Sequence, residues 1–550
     1  MTTYSSESTL EQRAAGALDM ELIPGTEIMR DVNDTHFAHA KGSDGAVLVP
    51  HPSSDPRDPL NWSTTWKIIV AVTQLIYVWV GVTSALSIAP MFPLLGAEFH
   101  LNQQQLSLLT GLNVITLGFA NLFIVPLSNI FGRRPTSIVF GILIFLTCIW
   151  EALATSHRSL LAARACNGIA AATSESIMVQ IVADMFFLHE RGTWMGVYFT
   201  TYFMGAFLGP IMSGNIAARH GWRSFFWLST ALSAFATLLL IVGLPETKYH
   251  RISSHASRAS TPPADTTDKR PSSRAQEKGT STPEDSSEQY TAPVGKGRPS
   301  KGQFAAIQKA DSRWKQFIVR DLVTPVRVFF NPIIFWAGLM LAGPADVLLV
   351  FNLTESGLLS LPPYNFNPGQ VGYTNFAFAV GGLIGVVTAG PFSDWIAKRS
   401  TLRNGGVREA EMRLPALLPY ILITILCHIF GAFSYTQRWP WPSIITLSYG
   451  FSGLSVCSVP TIAIAYAIDC YKPISGEIMV VATVLKNVLG FGLSYWVFEV
   501  EARQGWTGVY MTQFAITMLP VVCTVPLYFW GKRLRAWTRG SELHRMEEMI

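Results

Sequence analysis

Charge is scarce in this chain. Asp, Glu, Lys and Arg make up 14% of its 550 residues, while 49% are hydrophobic. A soluble domain carries about 25% charged residues, so the composition excludes a soluble globular protein, and a mean hydropathy of +0.30 agrees. Cysteine is also sparse. Cys148, Cys166, Cys427, Cys457, Cys470 and Cys523 lie in or at the ends of apolar runs, without CxxC spacing. They read as small buried apolar residues, not as disulfides or metal ligands. There is no GxxxxGK[ST] phosphate loop, no nucleophile elbow and no metal-binding His/Cys cluster. ATP-driven transport and hydrolysis are therefore not expected, nor is any enzyme activity, cofactor or metal site. The N-terminus MTTYSSESTLEQ lacks a basic-then-apolar pattern, so the first apolar span should remain as an uncleaved anchor.

Twelve apolar segments are present, at roughly 68–92, 105–127, 135–155, 159–183, 192–216 and 223–245, then 330–353, 371–393, 414–435, 443–468, 477–499 and 507–530. Each approaches the ~20 residues that a membrane helix needs. If the spans alternate, Arg133-Arg134, Arg191, Lys398 to Arg413, Lys472 and Lys532-Arg533-Arg535 share one side. The positive-inside bias places that side, and both termini, in the cytosol. The expected organisation is a polar cytosolic tail (1–66), a six-helix half (67–246), a cytosolic linker (247–329), a second six-helix half (330–531) and a short tail (532–550). The first tail and the Ser/Thr/Pro-rich stretch 247–310 are expected to be largely disordered. RWKQFIVRDLVTPVRVFF (313–330) mixes basic and apolar residues and reads either as an interfacial helix or as a plain linker end. Pro126-Leu127-Ser128-Asn129 and Pro391-Phe392-Ser393-Asp394 end corresponding spans of the two halves, as a duplicated transporter predicts.

Span 5 carries the most informative pattern, Gly196 to Gly214, inside an uncharged run from Gly192 to Ala218. Gly205 and Gly209 share a helix face and admit a close neighbour. Pro210 removes a backbone donor and favours a bend. Gly196 lies on roughly the opposite face. Such a helix suits a seam that rocks between two bundles, although ordinary tight packing accounts for the same residues. The spacing Gly196, Gly205, Gly209-Pro210, Ser213-Gly214 resembles the fifth-helix antiporter motif of the major facilitator superfamily, with Ser213 in place of a usual glycine. DPRDPLNWSTTWK (55–67) and LPETKY (244–249) resemble fungal members of that superfamily. The resemblance implies an all-α membrane protein of the major facilitator fold, with twelve transmembrane helices in two halves. The span 5 motif implies a proton-coupled exporter of the drug:proton antiporter branch. AGPFSDWIAKRSTLRNGGVREAEMRLP (389–415) is similar to a fungal subgroup that includes polyamine and cation carriers.

PLSNIFGRRP (126–135) resembles the superfamily signature between helices 2 and 3, which implies an inner gate latch. Gly132 permits a tight turn, and Arg133 and Arg134 can hold carboxylates or helix C-terminal carbonyls. Asn129 replaces the usual acid; Asp394 in the second half keeps it. In span 4, Arg164 should face the bundle interior, because a charge facing lipid is costly. Arg164 and Glu175 are eleven residues apart, which on one continuous helix puts them on one face, ~16 Å apart. They would line one wall of a cavity, with Glu175 as proton carrier. Arg164-x-x-Asn167-Gly168 also resembles the family's fourth-helix motif, whose arginine is linked to proton coupling. A purely structural ion network is the alternative. Asp346, after Gly343-Pro344, is either a cavity-facing acid or the start of an outer loop. Lys486 in span 11 is a charge among apolar residues that pairs with an acid or contacts substrate. Gln74, Asn113 and His428 are polar residues within spans, more often satisfied by interhelical hydrogen bonds than by ligands.

The expected function is proton-coupled export of a small organic compound, a drug or secondary metabolite, by alternating access. Uptake of a cationic solute such as a polyamine is the alternative, and a non-transporting sensor a lesser one. The proton gradient would supply the energy. The expected partners are the substrate and the lipid bilayer, not nucleic acid, for a monomer in the plasma membrane or, alternatively, the vacuolar membrane.

Overall fold

A computed structural model of the chain describes residues 26–28, 53, 55–249, 295, 297–305, 314–405, 407–471 and 475–538. The disorder expected for most of 1–66 and of 247–310 falls outside the described residues, as does the end of the C-terminal tail, 539–550. Span 1 is α1 (Thr64–Leu86), followed by the short α2 (Phe92–Phe99). Spans 2 and 3 are α3 (Gln103–Phe131) and α4 (Arg133–Leu153). Span 4 is two helices, α5 (His157–Ala171) and α6 (Thr173–Met185), parted at Ala172. Spans 5 and 6 are α7 (Leu188–His220) and α8 (Trp222–Gly243). After the linker come α9 (Trp314–Phe329), α10 (Pro332–Leu359), α11 (Pro368–Arg403), α12 (Leu418–Thr436), α13 (Gly450–Cys470) and α14 (Ser475–Thr538).

Among the described residues, ten helices are long and apolar enough to cross a membrane. The last is 63 residues long and turns back at Gly505, whose φ of 73° lies in the left-handed region, so it supplies two crossings. The divided span 4 adds the twelfth. Local chemistry starts several of these helices: Asn102 with Gln105, and Asn367 with Gln370, form reciprocal capping boxes at α3 and α11, and Asn331 caps α10. Large apolar side chains such as Phe123, Val139, Leu238, Val387 and Leu519 stay exposed on the helix exteriors, as contact with lipid tails requires.

The two halves meet most closely near their outer ends. A side chain on Gly214 of α7 would strike the Pro368 carbonyl 2.3 Å away, and one on Gly372 of α11 would strike the Pro210 carbonyl. Ser107 of α3 and Ser494 of α14 exchange hydroxyl-to-carbonyl bonds of 2.9 and 3.2 Å. One apolar cluster there takes Phe92, Leu109 and Phe225 from the first half and Phe351, Phe378 and Tyr510 from the second. Gly205 and Gly209 press instead on α1, against Val82 and Ser87. The α7 helix is therefore smooth on two sides, and it continues as one helix through Pro210. Towards the cytosol, hypothetical side chains on Gly196 and Gly476 meet nothing within 4 Å. On the orientation set by the basic loops, the molecule is closed outside and open inside.

Parts expected to be unstructured carry structure. Thr26–Ile28 (β1) pairs antiparallel with Val407–Glu409 (β2), so the N-terminal tail docks on the second half. Residues 297–305 pack on the first half: Gly297 exchanges backbone bonds with Asn61 and Ser63, and Phe304 lies edge-on to Trp66. The helix α14 runs past the expected end of span 12, and its Arg535, placed in the tail by hydropathy, is fully buried on Glu409 and Glu411.

Gly132 ends α3 and begins α4 with a φ of 103°. Its missing side chain also leaves room for Glu246, whose Oε2 would lie 2.2 Å from a Cβ there. Glu246 accepts from the Arg133 and Arg134 amides at 3.0 and 3.2 Å, a carboxylate on a helix N-terminus. Burial pushes the Glu246 carboxyl up, against the amides of Lys248, Arg133 and Arg134 that pull it down. An alanine in place of a conformationally ordinary glycine stabilises by up to about 1 kcal/mol, but Gly132→Ala should destabilise by more than that, since it meets both strain and a clash. A lowered melting temperature of the purified protein checks this, with Gly196→Ala, in open space within α7, as the comparison that should not lower it.

Candidate functional site

A cavity of about 1080 Å³, counting its open mouth, lies between the halves. Its walls are largely apolar, from Leu86, Val114 and Phe203 to Leu349 and Val456, and its charged residues are Glu175, Asp346 and Lys486. Such mostly apolar clefts with few converging polar groups are where small molecules bind. Lys486 of α14 donates to Glu175 Oε1 at 2.8 Å, a salt bridge between the halves. Tyr202 of α7 donates to the same oxygen at 2.6 Å. Lys486 also donates to the Tyr202 hydroxyl at 3.1 Å, and its ammonium sits 5.2 Å from the ring centre. Asn121 and Asn487 donate to Glu175 Oε2 at 3.2 and 3.3 Å. Glu175 is thus saturated by four donors from three spans.

Glu175 also lines a second cavity, on the cytosolic side, with Asn129, Arg133, Gln180, Asp321, Pro325 and Glu477. With Met479 and Thr483 it lines both cavities, and it is the ionisable group of the three. Asp346 lies mid-helix in α10, 2% exposed, and faces the central cavity beside Gly490, so it does not begin an outer loop. With every group ionised, the central cavity holds two carboxylates and one ammonium.

The expected shared wall of Arg164 and Glu175 is corrected by the break at Ala172. Arg164 is fully buried away from both cavities. It donates to the carbonyls of Leu109, Ser84 and Ala85 and pairs with Glu151 of α4 at 3.4 Å. Asn113 belongs to that network, donating to the Arg164 carbonyl at 2.9 Å, and does not line the central cavity. Gln74 is buried, and neither amide atom has a partner among the described residues. His428 bonds the Thr424 carbonyl at 2.7 Å within its own helix.

At the cytosolic end of α3, Arg133 binds Asp184 at 3.1 Å and donates to Asn129 Oδ1 at 2.8 Å. Arg134 donates to the last carbonyls of α8, Leu240, Ile241 and Leu244. The acid that Asn129 lacks is supplied from elsewhere: its amide donates to Asp321 of α9. In the second half, Asp394 pairs with Arg413 at 2.9 Å. Sequence reading missed Glu151, Asp184, Tyr202, Asn121 and Asp321. Glu151 carried a usable signal, as an acid closing an apolar span.

The sequence model of the Major Facilitator Superfamily matches residues 75–495. The chain belongs to the major facilitator superfamily. Among its relatives in this family are Protein HOL1 of Saccharomyces cerevisiae, 27% identical over 91% of this chain and 92% of that protein, and the MFS transporter cpaT of Aspergillus oryzae, 26% identical over 92% and 97%. The efflux pump radE of Floropilus chiversii is 23% identical over 88% and 84%. The crystal structure of the human organic anion transporter MFSD10 (TETRAN) superposes with a TM-score of 0.53 at 16% identity, covering 83% of this chain and 99% of that one. That likeness shows the fold. As a member of this superfamily, the chain is a multi-pass membrane transporter and not an enzyme.

Removing one partner of a buried ion pair costs about 3–5 kcal/mol, because the other charge is left uncompensated. Glu175 is the more deeply buried partner, at 4% side-chain exposure against 16% for Lys486. Lys486→Met should therefore destabilise more than Glu175→Gln, and the double variant should recover part of the loss. Thermal unfolding of the four proteins in detergent checks this.

Proposed function

We propose that this major facilitator protein exports a small organic compound in exchange for protons by alternating access, with Glu175 as the proton carrier. The observation that carries the reading is the position of Glu175, between the two cavities and paired across the halves with Lys486. Protonation removes the charge that holds Lys486, so the halves are freed to rock, and the glycine faces of α7 are the seam on which they slide. Lys486 is the counter-ion of Glu175, and Arg164, which the fourth-helix resemblance links to proton coupling, acts instead as an internal brace of the first half. The Asn129–Arg133–Asp184 cluster braces the cytosolic end of the first half, and Asp321 ties it to α9 while that side stands open. Export across the plasma membrane fits a family in which one relative is named as an efflux pump.

Uptake of a cationic solute is a second reading, favoured by one observation: the two central carboxylates outnumber the single ammonium. Comparing small molecules in the medium of cells with and without the gene identifies the transported compound. Its flux in proteoliposomes under an imposed pH gradient then gives the direction. Export predicts flux opposite to the proton gradient, and uptake predicts flux along it. Glu175→Gln should abolish the pH-driven component while the protein still reaches the membrane; undiminished flux removes Glu175 from the mechanism.

A further inference from the structure

The central cavity accounts for Glu175, Asp346 and Lys486, but not for Glu355. Glu355 lies about one turn from the outer end of α10 and is fully buried. Both of its oxygens face the amide nitrogen of Asn375 in α11, at 3.2 and 3.0 Å. Among the described residues no Lys, Arg or His pairs with it. The titratable groups facing it are phenols: Tyr435 of span 9 and Tyr449 of span 10, their hydroxyls 2.8 Å apart. Tyr510 of α14 stands behind them, against Tyr435 and Phe351. All three are neutral near physiological pH. A carboxylate in so dry a site, with one neutral donor, is strongly disfavoured, whereas a carboxylic acid fits it.

The seal over this acid lies between the halves. Phe207 of α7 stacks on Phe378 of α11 at 6.1 Å, and Phe378 stacks on Tyr449 at 4.7 Å. Asn375 reaches the wall of the central cavity. Any motion that opens the outer side parts Phe207 from Phe378 and brings water to Asn375 and Glu355.

We propose that Glu355, with Asn375, is a second proton-binding site, loaded from the outer side and occluded as the neutral acid when the halves close there. The proposal rests on the alternating-access reading above. In the outward-open form, the hydrated carboxylate takes one proton from external water. Closure then buries a neutral group, and reopening returns the proton to water. Ionised Glu355 therefore holds the outer side open, and protonation lets it close. With one proton per transition, the opening equilibrium shifts by up to about tenfold per pH unit.

Hydrogen–deuterium exchange of the full chain in lipid nanodiscs tests this without any substrate. The readout is the outer ends of α7 and α11, in mildly acidic and mildly alkaline buffer, corrected for intrinsic exchange. The wild type should open as pH rises. Glu355→Gln, which keeps the shape of the neutral acid, should stay protected in both buffers with an undiminished melting temperature. Glu175→Gln should retain the wild-type response at the outer ends, which separates this site from the central switch. A Glu355→Gln protein that opens with pH like the wild type overturns the proposal, as does a wild type with no response. Should Glu355→Gln not fold, Asn375→Leu is read in its place. Losing the amide that favours the ionised form should move opening to higher pH, and an unmoved transition counts against the site.

Discussion

The salt bridge between Glu175 and Lys486 joins the two halves inside the membrane, and the surrounding structure answers to its requirements. A carboxylate and an ammonium taken out of water must stay paired and hydrogen-bonded, or regain water. Tyr202, Asn121 and Asn487 supply the remaining bonds, so the pair is stable while the halves stand as they do. The same contact becomes labile when one charge is removed, and Asp346 is then the carboxylate left to face Lys486 across the cavity. Proton occupancy and the relation of the halves are thereby linked through one carboxyl group.

Two different kinds of contact flank that bridge. On the outer side the closure is backbone against backbone, at Gly214 with Pro368 and Gly372, together with the Phe207–Phe378 stack. Close packing of this kind is abolished by a small rotation. On the cytosolic side the contacts are peripheral and polar. Asp321 on α9 reaches Asn129 of the first half, and β1 from the N-terminal tail lies on β2 of the second. These ties run around the cytosolic cavity without filling it, which fits a molecule open on that side.

The twelve spans were legible because each is an apolar run long enough to cross a bilayer. The span 5 pattern was legible because glycine has a single packing consequence at a close crossing, and Gly205, Gly209 and Gly214 all meet a neighbour. The pairing of charges was much less so. The shared face of Arg164 and Glu175 assumed one continuous helix, and nothing in GIAAATSE announces that it parts at Ala172. Lys486 was recognised as a charge needing an acid, but which acid depends on how span 11 packs on span 4. Asp321 sat in a segment read for its basic and aromatic residues, and its use as the missing acid of Asn129 follows from tertiary placement alone.

Distances between spin labels at the two cytosolic positions with open space, introduced as Gly196→Cys and Gly476→Cys, test the central claim most directly. The measurement is made by pulsed electron resonance in nanodiscs over a range of pH. A switch seated on Glu175 predicts two distance populations, whose ratio moves with pH in a Glu355→Gln background, where the outer acid is silent, and is independent of pH once Glu175→Gln is added. A single population at every pH, or the same pH response after Glu175→Gln is added to Glu355→Gln, would contradict the account.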